Sequence, residues 1–278
     1  MLKSDYFAIK VSIVGSIGGL LFGYDLGVIS QALPLLKDEF LMTINEQELC
    51  ASLLTIGAVV GSLFGGYMCD FIGRKKTIYF TSLIFIIGSL VLSLSASLIQ
   101  LYIGRFIVGI GVAISAIADV SYLTEISPEK HRGFCVGTNE LMITIGLLFA
   151  FFIDYLLSKQ LNGWRIMFAI PIIISTIWCI LMLPMPESPK WLLVQGQESQ
   201  ALLVYIARTD THSEAEVEFE QDKQEVIETK KANELPIKEV ILFWKYPLII
   251  SITLMIAQNL SSHAGMLYVC YTYYYVAV

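Results

Sequence analysis

Charge is scarce in this chain: Asp, Glu, Lys and Arg together supply 15% of its 278 residues, where a soluble domain carries about 25%. Histidine is scarcer still, with three copies at His131, His212 and His263. No nucleophile–base spacing, phosphate-binding glycine loop or clustered metal ligands accompany them, so the sequence gives no footing for an enzyme or for a cofactor. Five cysteines, Cys50, Cys69, Cys135, Cys179 and Cys270, lie inside or at the edges of apolar runs without a CxxC pair. They read as buried reduced thiols rather than a disulfide framework. No nucleic-acid footprint is present either, because the net charge is −6 and the acidic excess collects between His212 and Glu239.

What the chain has instead is apolar length. Hydrophobic residues make up 56% of it, more than a water-exposed globule of this size can carry. Seven runs reach the roughly 20 residues needed to cross about 30 Å of hydrocarbon. They are Ile9 to Ala32, Leu49 to Cys69, Thr77 to Ser95, Ile99 to Tyr122, Phe134 to Leu157, Ile166 to Leu183 and Pro247 to Tyr271. The first is too long for a signal-peptide core and carries Asp25 where a cleavage site would need small residues. An N-terminus on the cytoplasmic side puts fourteen Lys and Arg inside against Lys37, Lys159 and Arg165 outside, the arrangement that positive-inside charge selects.

A polar stretch, Pro186 to Lys245, separates the sixth run from the seventh. Within it Ser199 to Ala207 and Ala215 to Lys231 have helix-compatible composition and predict short amphipathic helices. The expected organisation is therefore a six-helix bundle over residues 1–185, a cytoplasmic linker over 186–246, and a seventh transmembrane helix over 247–278. One helix after the linker reads as the start of an incomplete second bundle, with the chain cut off inside it.

Two glycine stripes mark close helix packing. Gly15, Gly19, Gly23 and Gly27 repeat every fourth residue in the first run, and Gly57, Gly61 and Gly65 do so in the second. Asp25 lies two positions, about 200° of helical rotation, from its glycine neighbours and so turns away from that seam, toward an expected cavity. A carboxylate within a span costs at least a few kcal/mol unless paired or hydrated. Arg105 in the fourth run is the first candidate partner, and protonation of Asp25 would release it, which offers a route to coupling proton entry to a conformational change. Glu140 and Asp154 stand fourteen residues apart on one face of the fifth run, as do Arg105 and Asp119 in the fourth. Glu140 reads as a cavity residue, whereas Asp119 and Asp154, close to run ends, read as groups in interfacial water.

Four segments resemble, in order and spacing, the sugar porter family of the major facilitator superfamily. GGLLFGYDLGVIS over Gly18 to Ser30 resembles its first-helix signature, and GYMCDFIGRKK over Gly66 to Lys76 its loop between helices two and three. YLTEISPEKHRG over Tyr122 to Gly133 resembles the element after helix four, and PESPKWL over Pro186 to Leu192 the element after helix six. The run NELMITIG from Asn139 to Gly146 is similar to the fifth helix of animal class III glucose transporters, in which the usual glutamine becomes glutamate, here Glu140. Departures include Phe71 and Lys190 at arginine positions of the loop motifs, Val120 at a proline position, and His263 at the asparagine position of helix seven.

The resemblance implies an all-α integral membrane fold in which one bundle pairs with another and a solute passes between them. It further implies alternating-access transport of a hexose, polyol or similar small polar solute, with protons as co-substrate. Asp25 and Arg105 would handle coupling, and Phe22, Glu140, Gln258 and His263 would face the solute. Asp70, Arg74, Glu125, Arg132 and Glu187 would form a gate of alternating charges on the cytoplasmic side. The plasma membrane is the expected location. The rival reading is a non-transporting regulator, sensor or assembly partner, since an incomplete second bundle leaves a face that a second copy or a full-length sugar transporter could complete.

Overall fold

The computed structural model describes residues 2–157, 160, 162–233 and 245–260. Their regular structure is helical. The elements are α1 (Lys3–Gly15), α2 (Ile17–Phe40), α3 (Ile44–Ile72), α4 (Arg74–Ser93), α5 (Leu98–Ile126), a 3-10 turn (Glu129–His131), α6 (Arg132–Leu157) and α7 (Gly163–Met182). Three shorter or more polar helices follow, α8 (Pro189–Val194), α9 (Glu198–Arg208) and α10 (His212–Asn233), and then α11 (Lys245–Leu260). The chain divides into two compact units, residues 1–222 and 223–278.

Six helical stretches in the first unit are long and apolar enough to cross a membrane: Lys3–Ser30, Ile44–Ile72, Arg74–Ser93, Leu98–Ile126, Glu129–Leu157 and Gly163–Met182. Each exceeds the apolar run that predicts it. Hydropathy falls at the first polar residues, but backbone hydrogen bonding carries the helix on into the interfacial layer. The first span is two helices. At Ser16 (φ −96°, ψ 2°) the chain departs from helical geometry between Gly15 and Gly18, residues that hold a helix weakly. The indole Nε1 of Trp178 donates to the Val14 carbonyl at this break, at 3.1 Å.

Helix ends follow local chemistry. Thr43 and Glu46 form a capping box that starts α3, the Thr43 amide donating to Glu46 Oε2 at 2.8 Å. Gly73, at φ +99°, turns α3 into α4, and a side chain is excluded there on two counts. The backbone is left-handed, and a Cβ would lie 2.5 Å from Glu187 Oε2.

Glycine seams set the packing, because lipid tails compete with any apolar helix face and close backbone approach is what binds helices together. α2 lies against α6 through Gly23, where a Cβ would come 1.9 Å from the Ile143 carbonyl oxygen, and Gly146 answers from α6 against the Leu20 carbonyl at 2.1 Å. α3 lies against α5 in the same way, through Gly57 against the Phe106 carbonyl and Gly109 against that of Leu54.

The second unit is described over 223–233 and 245–260, where α11 carries the first part of the predicted seventh run. Gln258 lies in α11 without a described side chain, and His263 lies outside the described residues.

Candidate functional site

Asp25 and Arg105 meet across the interface between α2 and α5. Arg105 Nη1 donates to Asp25 Oδ1 at 3.0 Å, with side-chain exposures of 1% and 6%. Asp25 is thus packed against α5 rather than facing a cavity, because the long arginine side chain reaches across and fills the space beside it. The pair is only partly satisfied: Asp25 Oδ2 and Arg105 Nε are buried without a hydrogen-bond partner. A buried pair held by one contact is poised rather than locked, since desolvation of both charges offsets most of their attraction.

Two further carboxylates are buried where the sequence placed them in interfacial water. Asp119 is 1% exposed and accepts from Ser115 Oγ at 2.6 Å, and Asp154 is fully buried with both oxygens unpartnered. The correction has a geometric cause. α5 continues to Ile126, so Asp119 lies seven residues inside it, and the Asp154 face of α6 is the one turned toward its neighbours. Glu140 is exposed on α6, beside buried Asn139, and Phe22 is half-buried on α2.

At the end of the bundle that carries Arg74, charges gather on backbone and side chain alike. Arg74 makes a forked contact with Glu125, Nε to Oε2 at 2.9 Å and Nη2 to Oε1 at 3.0 Å. It also reaches Asp70 at 3.2 Å and donates to the Cys69 carbonyl at 3.0 Å. Glu187 joins through backbone, accepting the amides of Lys75 and Ser188, each at 2.9 Å. Burial pushes the Glu187 carboxyl up, and those amides with the nearby Arg74 charge pull it back only in part. Ser188 Oγ donates to Glu125 Oε2 in a short contact and accepts from the Trp191 amide at the start of α8. Arg132 stands apart from these four at the start of α6, its Nε buried and unpartnered.

Arg208, which sequence patterning does not single out, ties α9 to this cluster. It is 2% exposed, donates to the Glu125 carbonyl at 2.9 Å and pairs with Glu218 at 2.7 Å. Its guanidinium lies over the Tyr205 ring at 4.3 Å. The signal was present as a lone arginine closing the amphipathic run from Ser199 to Ala207, but nothing in that run says which way it points. The α1 end docks on the same side, with Ser4 donating from both its amide and its hydroxyl to Asp210 at 2.9 and 2.6 Å. Those two bonds hold the Asp210 carboxyl below its ordinary value.

Among solved structures, this helical arrangement is that of a proton:xylose symporter, XylE, which aligns with a TM-score of 0.79 and 25% identity over 86% of this chain and 56% of that one. An inward-open form of XylE from E. coli aligns with a TM-score of 0.72 over 83% of this chain and 58% of that one. The chain is therefore an integral membrane protein with the major facilitator fold. The family model described as sugar (and other) transporter matches residues 11–274, and the chain belongs to that family. It is 40% identical to human solute carrier family 2, facilitated glucose transporter member 12, over 70% of this chain and 32% of that protein. The glucose transporter GlcP of Staphylococcus epidermidis is 37% identical over 77% of this chain and 48% of its own length. The major myo-inositol transporter IolT of Bacillus subtilis is 35% identical over 83% and 51% respectively. The chain thus spans about a third to a half of the relatives it matches.

Proposed function

We propose that this chain forms the N-terminal half of an alternating-access transporter for a hexose, polyol or similar small polar solute, driven by protons. The observation that carries the reading is the Asp25–Arg105 contact, a buried acid–base pair at 3.0 Å between α2 and α5. Protonating Asp25 removes its charge and leaves Arg105 to seek other partners, so the two protonation states favour different α2–α5 packings. The names of the relatives support the solute class: they transport glucose, myo-inositol or xylose.

Under this reading Glu140, exposed on α6, and half-buried Phe22 face the solute. A carboxylate or amide matches paired sugar hydroxyls, and an aromatic covers the apolar face of a ring. Asp70, Arg74, Glu125 and Glu187, together with Arg132 at the start of α6, form the gate on the cytoplasmic side, and the N-terminus lies there too. As isolated surface pairs they would each contribute about 0 to 1 kcal/mol. Contacts of Arg74, Ser188 and Arg208 converge on Glu125, and Ser188 also reaches Glu187, which links these groups in a network. The protein resides in the plasma membrane, and the solute passes between this bundle and a second one.

The test is uptake of labelled hexoses, xylose and inositol into proteoliposomes, with and without an inward proton gradient. Saturable, gradient-dependent uptake that loses its gradient dependence in Asp25→Asn is the expected result. Saturable uptake indifferent to the gradient would overturn the coupling role, and absence of uptake from inserted, folded protein would overturn transport.

A further inference from the structure

We propose that Asp119 is a second proton-binding carboxyl, on the same α2–α5 seam as the Asp25–Arg105 pair and nearer the Arg74 end. This deepens the proton-coupled reading above and rests on it for its role. The two helices run antiparallel here: a Cβ at Gly15 would meet Leu123, one at Gly18 would meet Asp119 and Ser115, and Asp25 meets Arg105 farther along. Asp119 lies fourteen residues from Arg105 on α5, about 21 Å at 1.5 Å per residue and on the same face.

The surroundings of Asp119 are built for a carboxyl and, among the described residues, show no ion pair to balance it. Gly18 makes the room, since a Cβ there would fall 2.0 Å from Asp119 Oδ2 and 2.3 Å from Ser115 Oγ. Oδ2 accepts from Ser115, while Oδ1 is buried and unpartnered. An isolated buried carboxylate is costly, and neutralisation by a proton is the ordinary remedy. With Oδ2 occupied, that proton belongs on Oδ1.

The groups that face this position from each neighbouring element offer no countercharge. α7 presents Trp178, whose indole is committed to the Val14 carbonyl, and the hydroxyl of Ser175. The α1–α2 break presents Ser16 and Gly18, and the next ionisable groups along α2 are Tyr24, bonded to the Met167 carbonyl, and paired Asp25. On α5 itself Tyr122 donates to the Pro186 carbonyl. Elsewhere in the bundle α4 buries the hydroxyls of Thr77, Thr81 and Ser82, α3 buries Cys69, and Cys135 of α6 is directed at the Ala8 carbonyl. Beyond them Glu187 is occupied by the amides of Lys75 and Ser188.

The step is a simple proton exchange. When the seam opens near the break at Ser16, water takes the proton from Oδ1 and leaves a hydrated carboxylate, and reclosure returns a proton to the same oxygen. The seam then carries two proton sites in series, one tied to an arginine and one to a hydroxyl.

Infrared difference spectroscopy on the full chain in lipid vesicles, stepped in pH, reads this directly. The expected result is a titrating carbonyl band of a protonated acid that is lost in Asp119→Asn, shifts in Ser115→Ala and persists in Asp25→Asn. If Asp119→Asn fails to fold, the band shift in Ser115→Ala carries the test. A band unchanged in both variants overturns the proposal, as does its displacement by sodium at fixed pH, which would make this a cation site. Proton-driven uptake without an Asp119 band sinks this site alone. An Asp119 band with uptake indifferent to protons sinks the coupling reading and leaves the site.

Discussion

At the scale of single residues, the Asp25–Arg105 pair makes the sharpest energetic prediction. Removing one member leaves the other charge buried, a loss of about 3 to 5 kcal/mol, whereas replacing both by apolar groups of similar volume is near neutral. Arg105→Met alone should therefore unfold far more easily in mild detergent than wild type, and Asp25→Leu combined with Arg105→Met should recover most of the loss. Strictly additive single-variant losses would mean the two side chains do not share an interaction. Asp210 makes a pH prediction. Its carboxyl is held below the ordinary 3.8, first by the Ser4 hydroxyl and then by the Ser4 amide. A depressed carboxyl stabilises the folded state above its unfolded value, and the benefit disappears as pH falls through the folded value. The melting-temperature gap between wild type and Asp210→Asn should hold near neutrality and close below about pH 3.8. A gap that widens on acidification would contradict the assignment. Asp25 and Arg105 were legible as partners because each is a charge of opposite sign set several residues inside an apolar run. Asp119 and Asp154 were not, because hydropathy ends a run where polar residues begin, while burial depends on where the neighbouring helices end.

At the scale of elements, the glycine stripes were legible in full and their partners were not. Spacing of four marks a flat helix face, but the sequence does not say that α2 uses its stripe against α6 while α3 uses its own against α5. The structure turns this into a graded prediction. A Cβ at Gly23 would meet the Ile143 carbonyl, which is backbone and cannot swing aside, so Gly23→Ala should cost about 1 to 3 kcal/mol, the range for overpacking. Gly66 has nothing within 4 Å of the same position, and Gly66→Ala should be neutral or stabilising by up to about 1 kcal/mol through helix propensity. Thermal unfolding of the two variants in one detergent decides the matter, and equal losses would mean the seams are not what holds these helices together. The short helices α8 and α9 were legible more coarsely. Ser188 before Pro189 announces a helix start, but Arg208 and its bond to the Glu125 carbonyl became visible only once α9 was seen to lie against the end of α5.

At the scale of the whole molecule, orientation is the property on which the proposed gate, proton path and solute face all depend. Charge asymmetry argues for Lys130 inside and the Ala96 turn outside, since Arg74 to Lys76 and Lys130 to Arg132 flank the same end of the bundle. The native thiols at Cys50, Cys69 and Cys135 are buried, whereas Cys179 is only half-buried. In a Cys179→Ser, Cys270→Ser background, Lys130→Cys should react with a membrane-impermeant maleimide only after the membrane is opened, and Ala96→Cys should react in intact cells. The opposite pattern would invert the molecule. The Asp70, Arg74, Glu125 and Glu187 cluster would then close the outer side, and Asp119 would become the first carboxyl an entering proton meets rather than the last. Labelling both positions together fixes the direction of the path before any transport is measured. Only one of the two orientations lets an inward proton gradient load Asp25 ahead of Asp119.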